Sequence, residues 1–268
     1  MADFESTTDP RPMDETGLRP IARAGMGEAP GWIGEGFSLW QRAPATLLGM
    51  GVVATLLFFL AHMVPFLGAI IAMVFWPHLS AGLFLGFRRA YEGKSVTLGD
   101  LFRPFRQPGT LAGAGGVYLG LSILASVIFF AMLASQLGMA EIEAMMEGGD
   151  MAAGKSMEEW FAALAIPALL FLVFMLLITM GFLFAPILIH QHGQGVWGAI
   201  MLSFKACLRN LPAFILLALC WFGILLLLGL LQLVPFLGPI LWLLISMGLA
   251  TFVIGSLYAA YLDLFIRA

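Results

Sequence analysis

The pentapeptide VPFLG occurs twice in the chain, at residues 64–68 and again at 234–238. Each copy interrupts a long apolar stretch that contains no Asp, Glu, Lys or Arg. Proline lacks the backbone donor that a helix interior needs, and glycine permits a close turn. We therefore predict that each copy is the tip of a hairpin between two apolar helices. The residues expected to shape these tips are Pro65, Gly68, Pro235 and Gly238.

The amino-acid composition of the chain suits a lipid environment rather than water. The 268 residues are 61% hydrophobic and 11% charged, with a mean hydropathy of +0.97, whereas soluble domains are about 45–50% apolar and about 25% charged. A helix needs about 20 apolar residues to cross a bilayer, and lipid forces backbone groups to pair within the helix. We predict an all-α polytopic membrane protein with six spans. The predicted spans are 44–64, 67–87, 109–135, 161–189, 212–233 and 236–262.

The segments between the spans set the expected topology. Twelve of the 13 Lys and Arg residues fall on one side of the six spans, and the other side has only Lys155. The positive-inside rule places the twelve, and both termini, in the cytoplasm. Residues 1–30 are polar and are predicted to be a flexible N-terminal tail, and residues 31–268 to be the membrane domain. No cleavable signal peptide is recognised, because the first 30 residues lack an apolar central region.

The sequences of the two hairpins indicate a duplicated unit. When residues 64–91 are aligned with 234–261, nine of 28 positions are identical. A Phe, an Arg and a Pro also occur in the same order before each hairpin. Because an even number of spans separates the copies, they insert with the same orientation. We predict a parallel repeat, related by an axis roughly along the membrane normal.

Three cytoplasmic segments combine aromatic and basic residues and are predicted to be helices lying on the membrane surface. They cover residues 32–42, 96–106 and 196–209. Aromatic side chains favour the headgroup boundary, and basic ones attract anionic lipid. Simple anchoring and specific lipid binding both remain open as their purpose. The residues assigned to this lipid interface are Trp32, Trp40, Arg42, Arg103, Arg106, Trp197 and Arg209.

Small residues recur at helix-contact spacing in the second and third spans. The two motifs are Gly82-x-x-x-Gly86 and Gly116-x-x-x-Gly120. Glycine at this spacing lets helices approach closely. We predict that the two faces touch, or that one pairs with another chain, and that leucine at Gly86 and Gly120 disrupts the fold.

The candidates for a metal site are few. The external loop at 136–160 has a net charge of −5 and five methionines, including Met145 and Met146, and thioethers suit Cu(I). His190 and His192 flank Gln191 at the end of the fourth span, without a nearby acid to complete a site. Methionine commonly fills apolar surface instead. We expect no cofactor, and these four residues are the weak candidates for a metal.

No residue set specifies a reaction. The spans contain no charged side chain, which argues against an ion-coupled pump. The sequence has no phosphate-binding loop, nucleophile elbow, zinc-protease motif or dinucleotide fingerprint. We therefore expect a protein that is not an enzyme and that does not bind nucleic acid.

Three prolines, at positions 77, 167 and 186, interrupt spans. Interrupted spans can mark a transport site.

Several segments together resemble a known type of protein: GWIGEGFSLWQRAP, VPFLG, LSAGLFLGFRRAYEGKSVTLGDLFRPFR, FAPILI, SFKACLRNLP and LYAAYLDLF. They are similar to an uncharacterised family of proteobacterial inner-membrane proteins, over residues 31–266. The resemblance implies six helices in the bacterial inner membrane and no assigned activity. A looser similarity to the membrane domain joined to some glycerophosphodiester phosphodiesterases implies lipid-related surroundings, although this sequence contains no such catalytic domain.

Three functional hypotheses stay open from the sequence. The first is a scaffold, assembly factor or accessory subunit of a larger membrane complex, with membrane lipids, other integral subunits or a second copy of the chain as partners. The second is a transporter or channel for a small molecule or lipid, which requires a cavity reaching the membrane midplane. Ser80, Ser122, Ser126, Thr179 or His78 are expected to line it. The third is metal or haem handling.

Overall fold

A computed structural model of the chain describes residues 17–65, 67–137, 156–235 and 237–267. These residues contain nine α-helices and no strand. The nine are α1 (Glu28–Trp40), α2 (Pro44–His62), α3 (Leu67–Tyr91), α4 (Gly109–Leu137), α5 (Met157–Phe182), α6 (Ala185–His192), α7 (Val196–Arg209), α8 (Leu211–Gly229) and α9 (Leu237–Tyr261). A 3-10 helix, Leu98–Arg106, joins α3 to α4. A shorter 3-10 helix, Leu230–Leu233, follows α8, and a π-helical turn, Leu262–Ile266, follows α9.

Six helical stretches are long and apolar enough to cross a membrane. The all-α fold with six spans is therefore confirmed. Helices α2, α3 and α4 start at the predicted residues 44, 67 and 109, and the helical ends differ from the predicted ends by a few residues. The fourth span departs most, because it consists of two helices, α5 and α6, instead of one.

The two hairpin tips have the same backbone hydrogen bonds. In the first tip, the N–H of Gly68 donates to the oxygen of Val64 at 3.0 Å, and in the second, Gly238 donates to Val234 at 2.9 Å. A Cβ atom on Gly68 would lie 1.6 Å from the carbonyl oxygen of Ala61, so this position accepts only glycine. A Cβ on Gly238 would lie 1.9 Å from the carbonyl oxygen of Leu231, in the 3-10 helix that follows α8. Matching geometry at both tips supports the duplication that the sequence indicates.

The break in the fourth span is held by a serine of α7. Pro186 lies at the start of α6 and cannot donate a backbone hydrogen bond. The Ser203 hydroxyl donates to the oxygen of Met180 at 2.8 Å and accepts from the N–H of Phe184 at 3.0 Å. One buried side chain thus satisfies a donor and an acceptor that the interrupted helix leaves free.

Helix α1 is part of the bundle rather than a surface anchor. It crosses α9 so closely that a Cβ on Gly36 would lie 2.5 Å from the carbonyl carbon of Gly255. Trp32 is 1% exposed, and its indole Nε1 donates to Asp263 at 2.8 Å. The assignment of Trp32 to the lipid interface is therefore wrong. The indole packs in protein because its polar atom finds a half-buried carboxylate partner there.

The described part of the predicted tail also departs from expectation. Leu18 is buried, and the N–H of Arg19 donates to the oxygen of Phe265 at 2.9 Å. Asn210 accepts from the N–H of Ala24 at 2.7 Å and donates to the oxygen of Ala22 at 3.1 Å. Residues 18–24 are thus fixed to the C-terminal segment and to Asn210, and helix α1 starts within the range that was assigned to the tail. Residues 1–16 lie outside the described part.

Burial is concentrated at one end of the bundle. We call it the basic end, since Arg42, Arg89, Arg103 and Arg267 lie there, and we call the opposite end, with the VPFLG turns, the tip end. In α3, residues 77–84 are buried almost without interruption, whereas most of 67–76 are exposed or half-buried. The same gradient runs along α5 and α9. Tight protein packing therefore joins the helices mainly at the basic end.

The glycine motifs do not pair with each other. A Cβ on Gly82 would lie 2.2 Å from the oxygen of Leu101, in the 3-10 helix, and one on Gly86 would meet Met50 of α2 at 3.0 Å. Gly116 and Gly120 have no neighbour within 4 Å among the described residues. The contact between α3 and α4 uses Gly115 instead, against the backbone of Val74. The prediction that the two faces touch is wrong, and pairing of Gly116 and Gly120 with another chain remains a prediction.

Candidate functional site

A cavity of about 420 Å³ lies among the spans. We call it the central cavity. Its walls come from both copies of the duplicated hairpin, through α2, α3 and α9, and from α4 and α5 between them. The residues lining it are Ala54, Thr55, Phe58, Trp76, Ser80, Leu83, Tyr118, Thr179, Phe182, Leu183, Ala250, Val253, Ile254 and Leu257.

The lining is apolar except for a few hydroxyls and an indole. Thr179 satisfies its hydroxyl by donating to the oxygen of Met175 at 2.8 Å, in its own helix. The hydroxyls of Thr55, Ser80 and Tyr118 make no hydrogen bond to another residue in the described ranges. Mostly apolar walls with a few polar groups, at a volume of 300–1,000 Å³, are typical of small-molecule sites. No ionisable group other than Tyr118 lines the cavity.

The helix break in the fourth span borders this cavity. Thr179, Phe182 and Leu183 line it just before α6 begins. An interrupted helix at membrane depth is tolerated where neighbours satisfy the freed backbone groups, as Ser203 does here. Discontinuous helices commonly border substrate sites in transporters.

The five predicted cavity residues separate into three groups. Ser80 and Thr179 line the central cavity. Ser122 and Ser126 instead line a shallower depression of about 360 Å³ with Met73 and Phe130. His78 is fully buried, with its ring stacked 4.7 Å from that of Phe105. The imidazole therefore belongs to the packing between α3 and the 3-10 helix.

The histidine pair does not converge on one point. His192 hydrogen-bonds through Nε2 to the hydroxyl of Tyr261, while His190 lines a different cavity with Arg103 and Arg106. Within the described ranges, no group of three His, Cys, Asp or Glu side chains could hold a metal ion. Met145 and Met146 lie outside those ranges, so their candidacy stays a prediction.

The predicted interface residues have different surroundings. Arg42 donates to the carbonyl oxygens of Ala90 and Tyr91, at 3.2 Å each, and so caps the C-terminus of α3. Trp40 is half-buried, with its ring 4.8 Å from that of Phe252. The exposed members of the set are Arg42, Arg103, Arg106, Trp197 and Arg209.

A buried carboxylate organises the basic end. Asp100 is fully buried, with its Oδ2 accepting from the N–H of Thr97 at 2.8 Å. The guanidinium Nε of Arg103 lies 2.9 Å from Oδ1, and that of Arg89 lies 3.4 Å from Oδ2. This cluster fixes the 3-10 helix against α3. On the surface nearby, hydrogen bonds from Lys94 and Arg88 lower the pKa of Glu92.

Six apolar helices of spanning length around an apolar cavity define a multi-pass integral membrane protein. Among curated proteins, the chain is similar to a probable inner membrane protein of Burkholderia thailandensis, at 29% identity over 238 residues. The match covers 86% of this chain and 88% of that protein, and it supports the inner membrane as the location. No family model and no solved structure matches the chain.

Proposed function

We propose that the protein is a non-enzymatic inner-membrane protein that binds a lipid or a lipid-like small molecule in the central cavity. The observation that carries the proposal is the lining: apolar walls from five spans, with three hydroxyls that lack a partner in the described ranges. Such a surface suits a mostly apolar ligand with one or two polar groups. We further infer that the chain belongs to the wider group of six-helix proteobacterial inner-membrane proteins. We also infer a distant likeness between this chain and the membrane domain of glycerophosphodiester phosphodiesterase-type proteins.

Filling the central cavity is expected to remove the ligand. Ala250→Phe adds an aromatic ring to the wall, whereas Ala131→Phe adds the same ring to an exposed position of α4. Native mass spectrometry of protein released from mild detergent should show a bound small molecule in the wild type and in Ala131→Phe, and little in Ala250→Phe. Equal occupancy in the two variants would contradict the proposal.

The bundle also supports a second candidate, an accessory subunit or a homo-oligomer. Gly116 and Gly120 are exposed and have no described neighbour within 4 Å, and α8 has only a few buried residues along its length. A second polypeptide covering these faces would use the close approach that glycine permits. The same native spectra distinguish the two candidates, because a retained polypeptide adds kilodaltons and a retained lipid adds only hundreds of daltons.

We infer that the basic end, with both termini, faces the cytoplasm. The charge distribution supports this orientation. One added cysteine at a time tests it: Ser38→Cys is exposed at the basic end, and Met63→Cys is exposed at the tip end. The background carries Cys220→Ser and keeps Cys207, since burial raises the pKa of Cys207 to about 12 and leaves little reactive thiolate.

A membrane-impermeant maleimide applied to spheroplasts should label Met63→Cys strongly and Ser38→Cys only after lysis. The reverse pattern would place the termini outside. Labelling of neither site before or after lysis would show that the probes are buried, and would refute the exposed positions on which this test depends.

A further inference from the structure

A second cavity, of about 330 Å³, lies at the basic end. It is lined by Leu85 of α3, by Arg103, Arg106 and Gln107, and by His190 of α6. We call it the basic cavity. Every polar side chain in its lining can donate a hydrogen bond, and none is acidic. A concave surface of this composition suits an anion.

The charges around the basic cavity are not balanced. Arg103 lies 2.9 Å from Asp100, and Arg88, which acts electrostatically on His190, is paired with Glu92 at 2.8 Å. Arg106 differs, because it forms no ion pair or hydrogen bond with any residue of the described ranges. The side chains of Gln107 and His190 likewise lack a hydrogen bond to a described residue. The cavity therefore holds one uncompensated cation beside two unused polar groups.

We place the basic cavity at the depth of lipid headgroups. Arg106 ends the 3-10 helix, and the third span starts at Gly109. The same 3-10 helix exposes the apolar side chains of Leu98 and Phe102. An amphipathic segment next to the start of a span lies in the interface, where lipid phosphates are found.

We propose that the basic cavity binds a phosphate group, with Arg106 supplying the charge and Gln107 and His190 donating hydrogen bonds. A guanidinium binds phosphate through paired N–H donors, and such charge-assisted bonds are about twice as strong as neutral ones. The phosphate belongs either to an anionic phospholipid of the adjacent leaflet or to a free phosphate ion. This site is separate from the central cavity in its lining, so neither proposal depends on the other.

Thermal unfolding in an uncharged detergent tests the site. Phosphatidylglycerol should raise the melting temperature in a saturable manner, and phosphatidylcholine should not. Arg106→Gln should raise the half-saturating concentration about tenfold, the usual effect of losing one charged hydrogen bond. Gln107→Leu keeps every charge and should raise it several-fold. Because Arg106 has no partner in the described ranges, its variant should keep the unliganded melting temperature.

The matched control is Arg23→Gln, which removes an exposed guanidinium that precedes α1, lies outside the set assigned to the lipid interface and lines neither cavity. It should leave the titration unchanged. If inorganic phosphate saturates the wild type and Arg106→Gln weakens that binding, the source is free phosphate. If only phosphatidylglycerol does so, the source is the lipid. Equal titrations of the wild type and Arg106→Gln, or equal weakening by Arg23→Gln, would overturn the proposal.

Discussion

Gly82→Ala is expected to destabilise the protein by about 3 kcal/mol, at the upper end of the usual cost of overpacking. The new Cβ would lie 2.2 Å from the carbonyl oxygen of Leu101 and 2.8 Å from its carbonyl carbon. These are backbone atoms, so no side-chain rotation relieves the contact. Leu101 is fully buried, and the neighbouring Asp100 fixes the 3-10 helix through its ion pairs. Relief therefore requires α3 and this segment to separate.

Gly116→Ala is the matched control, since it makes the same change in a helix with no described neighbour within 4 Å. Alanine favours a helix over glycine by about 1 kcal/mol. We therefore expect effects of opposite sign, measured as the midpoint of unfolding by sodium dodecyl sulfate in mixed micelles. A loss at Gly116 as large as that at Gly82 would indicate that both positions are sensitive to any side chain, and would contradict the contact assignment.

Asp100→Asn should cost about 2–3 kcal/mol. Removing one partner from a buried ion pair usually costs about 3–5 kcal/mol, but Arg103 is 49% exposed at its side chain and keeps part of its hydration. Arg89 is 21% exposed and loses more. Asparagine preserves the shape of the carboxylate, so the change isolates its charge.

Glu92→Gln serves as the comparison for Asp100→Asn. Glu92 is paired with Arg88 at 2.8 Å and with Lys94 at 2.6 Å, in a partly exposed position. Surface pairs contribute about 0–1 kcal/mol each. Unfolding midpoints of both variants, taken in the same detergent, should therefore separate clearly. Similar losses would mean that burial of Asp100 adds nothing to its role.

The spans and hairpin tips followed from the sequence because each has a local cause. Twenty apolar residues without a charge suit only a membrane helix, and the pair Pro65 and Gly68 suits only a turn. The helix break before Pro186 was visible as a proline. Its stabiliser, Ser203, was not, since the two residues approach only after α7 folds back on α5.

The position of α1 could not be deduced from its composition. An aromatic helix followed by a basic residue, as α1 is by Arg42, has the same pattern whether its apolar face meets lipid or protein. The available signal was Gly36, which lies one helical turn after Trp32 and suggests a close backbone contact. Its partner, Gly255, is more than 200 residues away, so the pairing required the three-dimensional structure.

The glycine motifs failed for a related reason. Small residues at i and i+4 indicate close approach but not what approaches. At Gly82 the neighbour is a 3-10 segment, and at Gly86 it is the side chain of Met50.

The central cavity depends on five helices at once, and only Ser80 and Thr179 of the five suggested residues reach it. Hydroxyls on apolar helices are frequent, so their convergence is not encoded locally.

The concentration of burial at the basic end has a consequence for sequence divergence. At that end a side chain must match the shape of its neighbours, so even one added methylene group changes the stability of the fold. Toward the tip end the neighbours are acyl chains, which adapt to any apolar outline, so leucine, isoleucine and phenylalanine are nearly interchangeable there. The sequence of one helix is thus constrained in two ways along its length. Near the arginines its side chains must be complementary in shape to their neighbours, and near the VPFLG turns they need only be hydrophobic.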